Sequence, residues 1–175
     1  EIPQDVVIPA CLEQIFQENK IVADRIITAM PGQYISSRIY TFNFTEAQKI
    51  AAAVYAEVED AVPFDLNQMV IDHQLLGSVD GKSLTLVVMT KKSFLGSFLN
   101  NLQRINIDPK LIDVDSLAFY NLCPFLSLEA GKCYALIDVG HEKTSICLVQ
   151  DNLLRMSRAV NLGGRYLTDF LSRDL

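Results

Sequence analysis

Apolar and polar residues follow two different periods along the chain, and both periods predict regular secondary structure. Apolar residues recur every three to four positions in residues 5–19, after Thr45 and after Ser93, which is typical of amphipathic helices. Residues 35–44 instead alternate with a period of two, as a strand with one buried face does. The chain is therefore predicted to be a mixed α+β protein.

Further strands complete the prediction for the first two-thirds of the chain. Four segments are predicted strands: residues 25–30, 69–76, 84–89 and 110–114. Asp80-Gly81 is a predicted hairpin turn between the second and third of these. We expect one small, mostly antiparallel sheet with helices on one side. The apolar stripe of the helix after Ser93, which includes Leu95 and Phe98, fits a core face better than a peptide groove, and both interpretations stay open.

Capping residues and prolines predict where the helices begin and end. Thr45 and Gln48 have the spacing of a capping box, in which the hydroxyl and the amide side chain satisfy two free N–H groups. Pro63 is expected to end this helix, and Ser93 is the predicted N-cap of the next one. In the short helix over residues 5–19, Pro9 is expected to lie in the first turn.

The last third of the chain has a different pattern. Three consecutive strands joined by tight turns, a β-meander, are predicted over residues 133–139, 144–150 and 153–159. Gly163-Gly164 follows, and then an amphipathic helix with apolar residues at Tyr166, Leu167, Phe170 and Leu171. The composition changes at residues 124–132, so we predict a domain boundary near residue 125.

Composition excludes several classes of protein. The 175 residues carry 21 acidic and 15 basic side chains, a net charge of −6, which argues against nucleic acid as a partner. No apolar run approaches the roughly 20 residues that a membrane-spanning helix needs. The four cysteines are far apart, without a C-x-x-C pair, and are expected to be free buried thiols rather than zinc ligands.

The segment that carries candidate chemistry is the turn after the first strand of the meander. Its backbone N–H groups can form a concavity for phosphate, and Gly140 is expected to adopt a positive φ there. Asp138 can orient a hydrated Mg²⁺, and Thr144 can add a hydroxyl donor. Gly163 and Gly164 precede a helix, whose N-terminus attracts anions. Each feature alone also fits an ordinary turn, but their order in one short segment is more specific.

These segments resemble the second phosphate-loop region of actin-like ATPases. Residues 136–149 and 158–168 are most similar to the PilM/GspL type, found in type IV pilus and type II secretion assembly, and more distantly to FtsA. Residues 27–38, 62–66 and 107–115 are similar to stretches of the small subdomain inserted in PilM proteins. The resemblance covers residues 25–172, nearly the whole chain.

The resemblance implies the following division of the chain. Residues 1–24 would be a helix of the first actin-like subdomain, and residues 25–115 an inserted small α+β subdomain. Residues 116–131 would be a connecting helix and linker, and residues 132–175 the start of a second, ribonuclease-H-like subdomain. The family's first phosphate turn and its adenosine-binding region have no counterpart in this sequence. We therefore expect a fragment that binds ATP weakly or not at all.

The resemblance also implies site residues for ATP and Mg²⁺ in the full-length protein. Asp138 would lie on the Mg²⁺ side, Gly140 in the phosphate turn, and Thr144 would offer a hydroxyl to phosphate. The remaining expected phosphate neighbours are His141 and Lys143, with Gly163 and Gly164 at a close approach. His141 and Lys143 equally fit a solvated turn. No catalytic residue is identified, so we expect at most a weak ATPase.

The implied function is that of a cytoplasmic scaffold peripheral to the bacterial inner membrane. PilM-like proteins dock the cytoplasmic tail of PilN, and the counterpart here would be a PilN-like protein or its equivalent in the GspL/GspM secretion system. A motor ATPase is a further implied partner, and an open sheet edge allows a homo-oligomer. Two alternatives stay open: a phosphotransferase of the sugar- or acetate-kinase type, for which no catalytic base is apparent, and a nucleotide-free adaptor.

The acidic cluster of Glu57, Glu59 and Asp60 is either a solvated face or a docking edge for a basic tail.

Overall fold

Five helices and eight strands make up the computed structural model, which describes residues 4–62 and 65–174. The helices are α1 (Gln4–Glu18), α2 (Ala47–Ala61), α3 (Lys92–Gln103), α4 (Asp115–Ala118) and α5 (Gly164–Asp174). The strands are β1 (Ile27–Met30), β2 (Ser36–Phe42), β3 (Met69–Val79), β4 (Lys82–Lys91), β5 (Leu111–Val114), β6 (Cys133–Val139), β7 (Thr144–Gln150) and β8 (Leu153–Val160). Short 3₁₀ turns lie at Gly32–Tyr34, Leu66–Gln68 and Tyr120–Phe125.

The strands form three small sheets among the described residues. β2, β4 and β3 form one antiparallel sheet in that order, and β6, β7 and β8 form the predicted meander. β1 and β5 pair with each other in parallel, from Ile27 opposite Leu111 to Met30 opposite Val114. The prediction of a single, mostly antiparallel sheet was therefore wrong for these two strands. Parallel strands need a long crossover connection, and residues 31–110 supply it.

The predicted helix starts were wrong by one or two residues. The N-cap of α2 is Glu46, and its side chain makes no cap hydrogen bond, so the capping box of Thr45 and Gln48 does not form. Glu46 instead contacts Lys49 at 2.8 Å and the Thr45 N–H at 3.3 Å. The N-cap of α3 is Lys91, so Ser93 lies inside the helix. The predicted stop at Pro63 lies outside the described residues.

Pro9 lies inside α1 and not in its first turn. The helix continues through this proline, although the ring removes one backbone donor. Ile8 and Leu12, on either side of Pro9, line an apolar groove together with residues of α3. Most helical stability in proteins comes from packing of an apolar face, and Pro9 is itself buried in the lining of this groove.

Two apolar cores lie on opposite faces of the β2-β4-β3 sheet. On one face, α2 packs Ile50, Val54 and Val58 against Phe42 and Met89. On the other face, Leu86 of β4 joins a cluster that consists of Val114, Leu117, Cys123, Cys147, Val149 and Leu154. This second cluster contains residues from both sides of position 125, where the sequence predicts a domain boundary. The two parts of the chain therefore share a core.

The four cysteines are free thiols, but only two of them are buried. Cys123 and Cys147 lie in the shared core, and burial raises the pKa of the Cys147 thiol to about 11. Cys11 and Cys133 are exposed, which corrects the expectation of four buried thiols. Cys11 lies on α1, and Cys133 begins the edge strand β6.

None of the described helices is long and apolar enough to cross a membrane.

Candidate functional site

The turn between β6 and β7 consists of residues 140–143 and is closed by a backbone hydrogen bond from the Gly140 N–H to the Lys143 carbonyl, 2.9 Å long. Gly140 does not have a positive φ, so the expectation of a left-handed conformation was wrong. Its lack of a side chain matters for another reason. A Cβ atom there would lie 3.0 Å from the Lys143 carbonyl oxygen, which is too close for an unstrained turn.

The N-terminus of α5 is docked onto this turn. The Gly164 N–H donates to the Gly140 carbonyl at 2.9 Å, and the Arg165 N–H donates to the His141 carbonyl at 2.8 Å. A Cβ atom on Gly163 would lie 2.5 Å from both of these carbonyl oxygens. The two glycines therefore allow close contact between the start of α5 and the β6–β7 turn. Two of the free N–H groups that begin a helix are already satisfied by protein here.

Thr144 joins the β6–β7 turn to the segment that precedes α5. Its side chain is buried, 8% exposed, and its hydroxyl donates to the Leu162 carbonyl at 2.6 Å. The hydroxyl can therefore reach a phosphate only after this bond is broken. In this structure Thr144 joins the turn to the segment that leads into α5.

Lys143 turns towards the interior and contacts the carboxylate of Asp115, at the start of α4. The two side chains are 25% and 27% exposed. Burial lowers the pKa of Lys143 from its usual value. The other carboxylate oxygen of Asp115 accepts the Gly32 N–H at 2.8 Å. Asp115 was not singled out from the sequence.

The remaining candidates face solvent. Asp138, near the end of β6, and His141, in the turn, are both exposed. Within the described chain, the N–H groups of His141, Glu142 and Lys143 donate to no backbone carbonyl. The described residues contain no cluster of three or more metal-ligating side chains. The structure brings Gly140 and His141 into contact with Gly163 and Gly164, whereas the Lys143 side chain pairs with Asp115 and the Thr144 hydroxyl with Leu162. The role of all seven residues towards a nucleotide stays a prediction.

A second feature is an apolar groove of about 380 Å³ between α1, α3 and the Met30–Tyr34 segment. Its apolar lining includes Ile8, Leu12, Tyr34, Phe94, Phe98 and Leu102. The Tyr34 and Phe94 rings pack with centroids 5.1 Å apart. Of the two interpretations of the Phe98 stripe, a core face and a peptide groove, the second matches the position of Phe98 in this lining. The available signal was that two helices, α1 and α3, each carry a stripe of large apolar residues.

Comparison with known proteins identifies the family. The family model for the type IV pilus assembly protein PilM matches residues 2–174. A solved structure described as a PilM–PilN type IV pilus biogenesis complex has a TM-score of 0.82 at 20% identity, over 98% of this chain and 53% of that chain. No protein with a curated description matches this chain.

Two further solved structures share the fold at lower identity. The cytoplasmic domain of EpsL, an inner-membrane component of the Vibrio cholerae type II secretion system, has a TM-score of 0.55 at 14% identity, over 93% of this chain and 59% of that chain. A Bacteroides thetaiotaomicron protein with an actin-like ATPase fold has a TM-score of 0.50 at 12% identity, over 99% of this chain and 65% of that chain.

The chain therefore spans between half and two-thirds of the length of the solved structures that it matches. The predicted α+β class and the actin-like ATPase fold are confirmed by these matches. The match of the family model over nearly the whole length shows that the chain belongs to the family of the type IV pilus assembly protein PilM.

Proposed function

We propose that this chain is the part of a pilus-assembly scaffold that docks the short cytoplasmic tail of a PilN-like membrane protein, and that the tail lies in the α1–α3 groove. The observation that carries the proposal is the groove itself, an apolar cleft of about 380 Å³ with aromatic walls. The similar PilM chain was solved in a complex with PilN, and this supports a PilN-like tail as the peptide that lies in the groove.

The chemistry of the groove suits a short peptide. Its floor and walls are mainly apolar, while Gln33, Ser97 and Asn101 place polar side chains at its surface. Peptide-binding clefts commonly combine apolar pockets for anchor side chains with a few polar groups that fix the backbone. Phe94 and Phe98 on α3 offer rigid aromatic contacts, the residue class that dominates binding energy in many interfaces.

A blocking substitution on α3 tests the docking site. Ser97 is exposed and lines the groove, so Ser97→Arg should fill it without disturbing the core. We expect the affinity of the full-length protein for a synthetic peptide of the PilN-like tail to fall by about ten-fold or more, equivalent to about 1.4 kcal/mol. Fluorescence anisotropy with labelled peptide measures this affinity.

The matched control is Ser93→Arg, because Ser93 is exposed on the same helix but does not line the groove. This variant carries the same added charge and should bind the peptide as the unchanged protein does. Equal affinities for both variants would place the tail elsewhere, and the acidic cluster at the end of α2 would then be the next candidate.

We also propose that the β6–β7 turn forms one wall of an ATP and Mg²⁺ site in the full-length protein. The groups that fit this role are the exposed carboxylate of Asp138 and the N–H groups of residues 141–143, which donate to no backbone carbonyl within the described part of the chain. His141 adds an exposed imidazole. Lys143 fits only when it leaves Asp115, and the Thr144 hydroxyl is held by Leu162. Bound Mg²⁺ would supply charge neutralisation for the phosphate groups.

Removal of the charge at Asp138 tests this wall. Asp138→Asn in the full-length protein should weaken Mg-ATP binding by about ten-fold, since Mg²⁺ favours carboxylate ligands, reached here through water. Calorimetry with Mg-ATP gives the dissociation constant. The control is Asp80→Asn in the distant hairpin turn, where φ is 51° and asparagine is equally suited. Unchanged binding in Asp138→Asn, or no binding by any form, would favour the nucleotide-free adaptor.

The proposed location of this scaffold is the cytoplasmic face of the bacterial inner membrane, where a membrane protein's tail and a motor ATPase are both accessible. The EpsL domain, which shares the fold, is described as the cytoplasmic part of an inner-membrane component. That likeness supports the proposed location and does not distinguish a pilus from a secretion system.

A further inference from the structure

A cleft of about 270 Å³ lies between the β2-β4-β3 sheet and β5, on the sheet face opposite α2. Leu86 and Val88 of β4 form its apolar floor. Asp72 of β3 is the register partner of Val88, so its side chain lies on the same face of the sheet. Among the described residues, none lines both this cleft and the groove between α1 and α3. The cleft is therefore a separate feature of the molecule.

Strand β5 forms the opposite wall of the cleft. All four of its residues, Leu111–Val114, line the cleft. Within the described chain, β5 pairs with β1 on one edge and with no strand on the other. An open strand edge is a template on which an extended peptide can add a further strand. The cleft thus offers backbone pairing on one side and an apolar floor on the other.

The cleft carries negative charge without a basic side chain of its own. Asp72 and Asp113 are its acidic residues, and its lining contains no lysine or arginine. The Asp113 carboxylate is held in place by the Asn121 side-chain amide at 3.0 Å and by the Val114 N–H at 2.7 Å. One oxygen of Asp72 accepts the His73 N–H at 2.8 Å, which leaves the second oxygen for a ligand. The cleft therefore complements a positively charged side chain.

The size of the cleft favours a single side chain over a cofactor. Small-molecule sites usually measure about 300–1,000 Å³ and enclose most of the ligand. This cleft is smaller, and Asp72, Gln74 and Asn121 in its lining are exposed. An arginine side chain fits such a place, because its apolar stem packs on apolar surface while its charged end stays near polar groups. Its planar guanidinium also matches the geometry of a carboxylate.

We propose that an extended, arginine-bearing segment of a partner protein docks in this cleft. Its backbone pairs with the free edge of β5, its arginine stem lies on Leu86 and Val88, and its guanidinium binds Asp72 and Asp113. Charge complementarity selects this occupant, because covering the two carboxylates with an uncharged or acidic segment would cost free energy. The inference depends neither on the α1–α3 groove nor on the β6–β7 turn.

Two labelled six-residue peptides test the recognition of charge. Valine and arginine alternate in the first, and in the second citrulline replaces arginine, which keeps the shape and removes the charge. The full-length protein should bind the arginine peptide about five-fold more tightly, the upper end for an exposed ion pair, as measured by fluorescence anisotropy. Asp72→Asn should remove most of this difference, and Gln74→Glu, which adds a carboxylate to the lining, should increase it. Equal affinities for the two peptides in the unchanged protein overturn the proposal.

The matched control is Asp60→Asn, which removes the same charge near the end of α2, on the opposite face of the sheet. This variant should bind the arginine peptide as the unchanged protein does. Equal losses of affinity in Asp60→Asn and Asp72→Asn would show general attraction to an acidic protein, and would overturn the site.

Hydrogen exchange tests the position of the peptide backbone. Saturating arginine peptide should slow exchange of the Leu111–Val114 amides by about ten-fold and leave β2, the edge strand on the far side of the sheet, unchanged. Unaltered exchange in β5 overturns the proposed docking position even if the peptide binds. Ser97→Arg should leave these results unchanged, so a failure of the docking groove is distinguishable from a failure of this cleft.

Discussion

Gly163→Ala should destabilise the protein by about 3 kcal/mol, because the new methyl group has no space and overpacking of a closely packed site is costly. The added Cβ would lie 2.5 Å from the carbonyl oxygens of Gly140 and His141. Both are backbone atoms of a hydrogen-bonded turn and cannot move aside like the end of a side chain. The α5 helix would have to lift off, which breaks the bonds from Gly164 and Arg165. Denaturant unfolding measures the loss.

Gly164→Ala is the matched control for this substitution. A Cβ atom on Gly164 would find the Gly140 carbonyl oxygen at 3.8 Å, an ordinary contact. Alanine is also a better helix former than glycine, so this variant should be neutral or slightly more stable. Hydrogen exchange of the residue 164 and 165 amides should increase only in Gly163→Ala. Equal stability of the two alanine variants would contradict the docking of α5 on the turn.

Leu154→Ala should cost about 3 kcal/mol, in the usual range for removal of a fully buried leucine side chain. Leu154 is completely buried in the core cluster that also contains Leu86 of β4. Because this core joins the β2-β4-β3 sheet to the meander, the loss should appear in both. Unfolding followed by hydrogen exchange in β4 and in β7 should show the same decrease in free energy.

The control for the core substitution is Leu167→Ala on α5, where the leucine side chain is 58% exposed. Its effect should stay within about 0.5 kcal/mol, as for most surface substitutions. A decrease confined to the meander in Leu154→Ala would show that the parts before and after residue 125 unfold independently. It would then favour the boundary that composition alone suggests.

Local sequence pattern was sufficient for much of the fold. The meander was predicted because period-two alternation and tight turns are local signals, and its three strands form as expected. The pairing of β1 with β5 was not predicted, because two four-residue strands separated by residues 31–110 carry no local signal of their partner. The start of α2 was misplaced by one residue, because the capping-box spacing of Thr45 and Gln48 does not reveal that Glu46 pairs with Lys49 and that no side chain caps the helix.

Local sequence pattern also predicted part of the candidate site. Asp138, Gly140 and Gly163 stand out because aspartate and glycine are residue types that turns favour, and the structure does bring these segments together. The engagement of Lys143 with Asp115 could not be foreseen, because the two residues belong to different elements. The groove was the less favoured interpretation of the Phe98 stripe, because a stripe of large apolar residues on one helix is the same pattern whether a core or a cleft covers it.

The parallel pairing of β1 and β5 has a consequence for how this architecture can vary. The chain leaves the paired strands after Met30 and returns at Leu111, and these two junctions lie at opposite ends of strands about 13 Å long, at roughly 3.3 Å per residue. A polypeptide that bridges that short gap can therefore join the two strands without a change in their register. Loops within residues 31–110 can vary in length during evolution under this constraint, while the sheet face that carries Leu86 has to keep its fit to the meander.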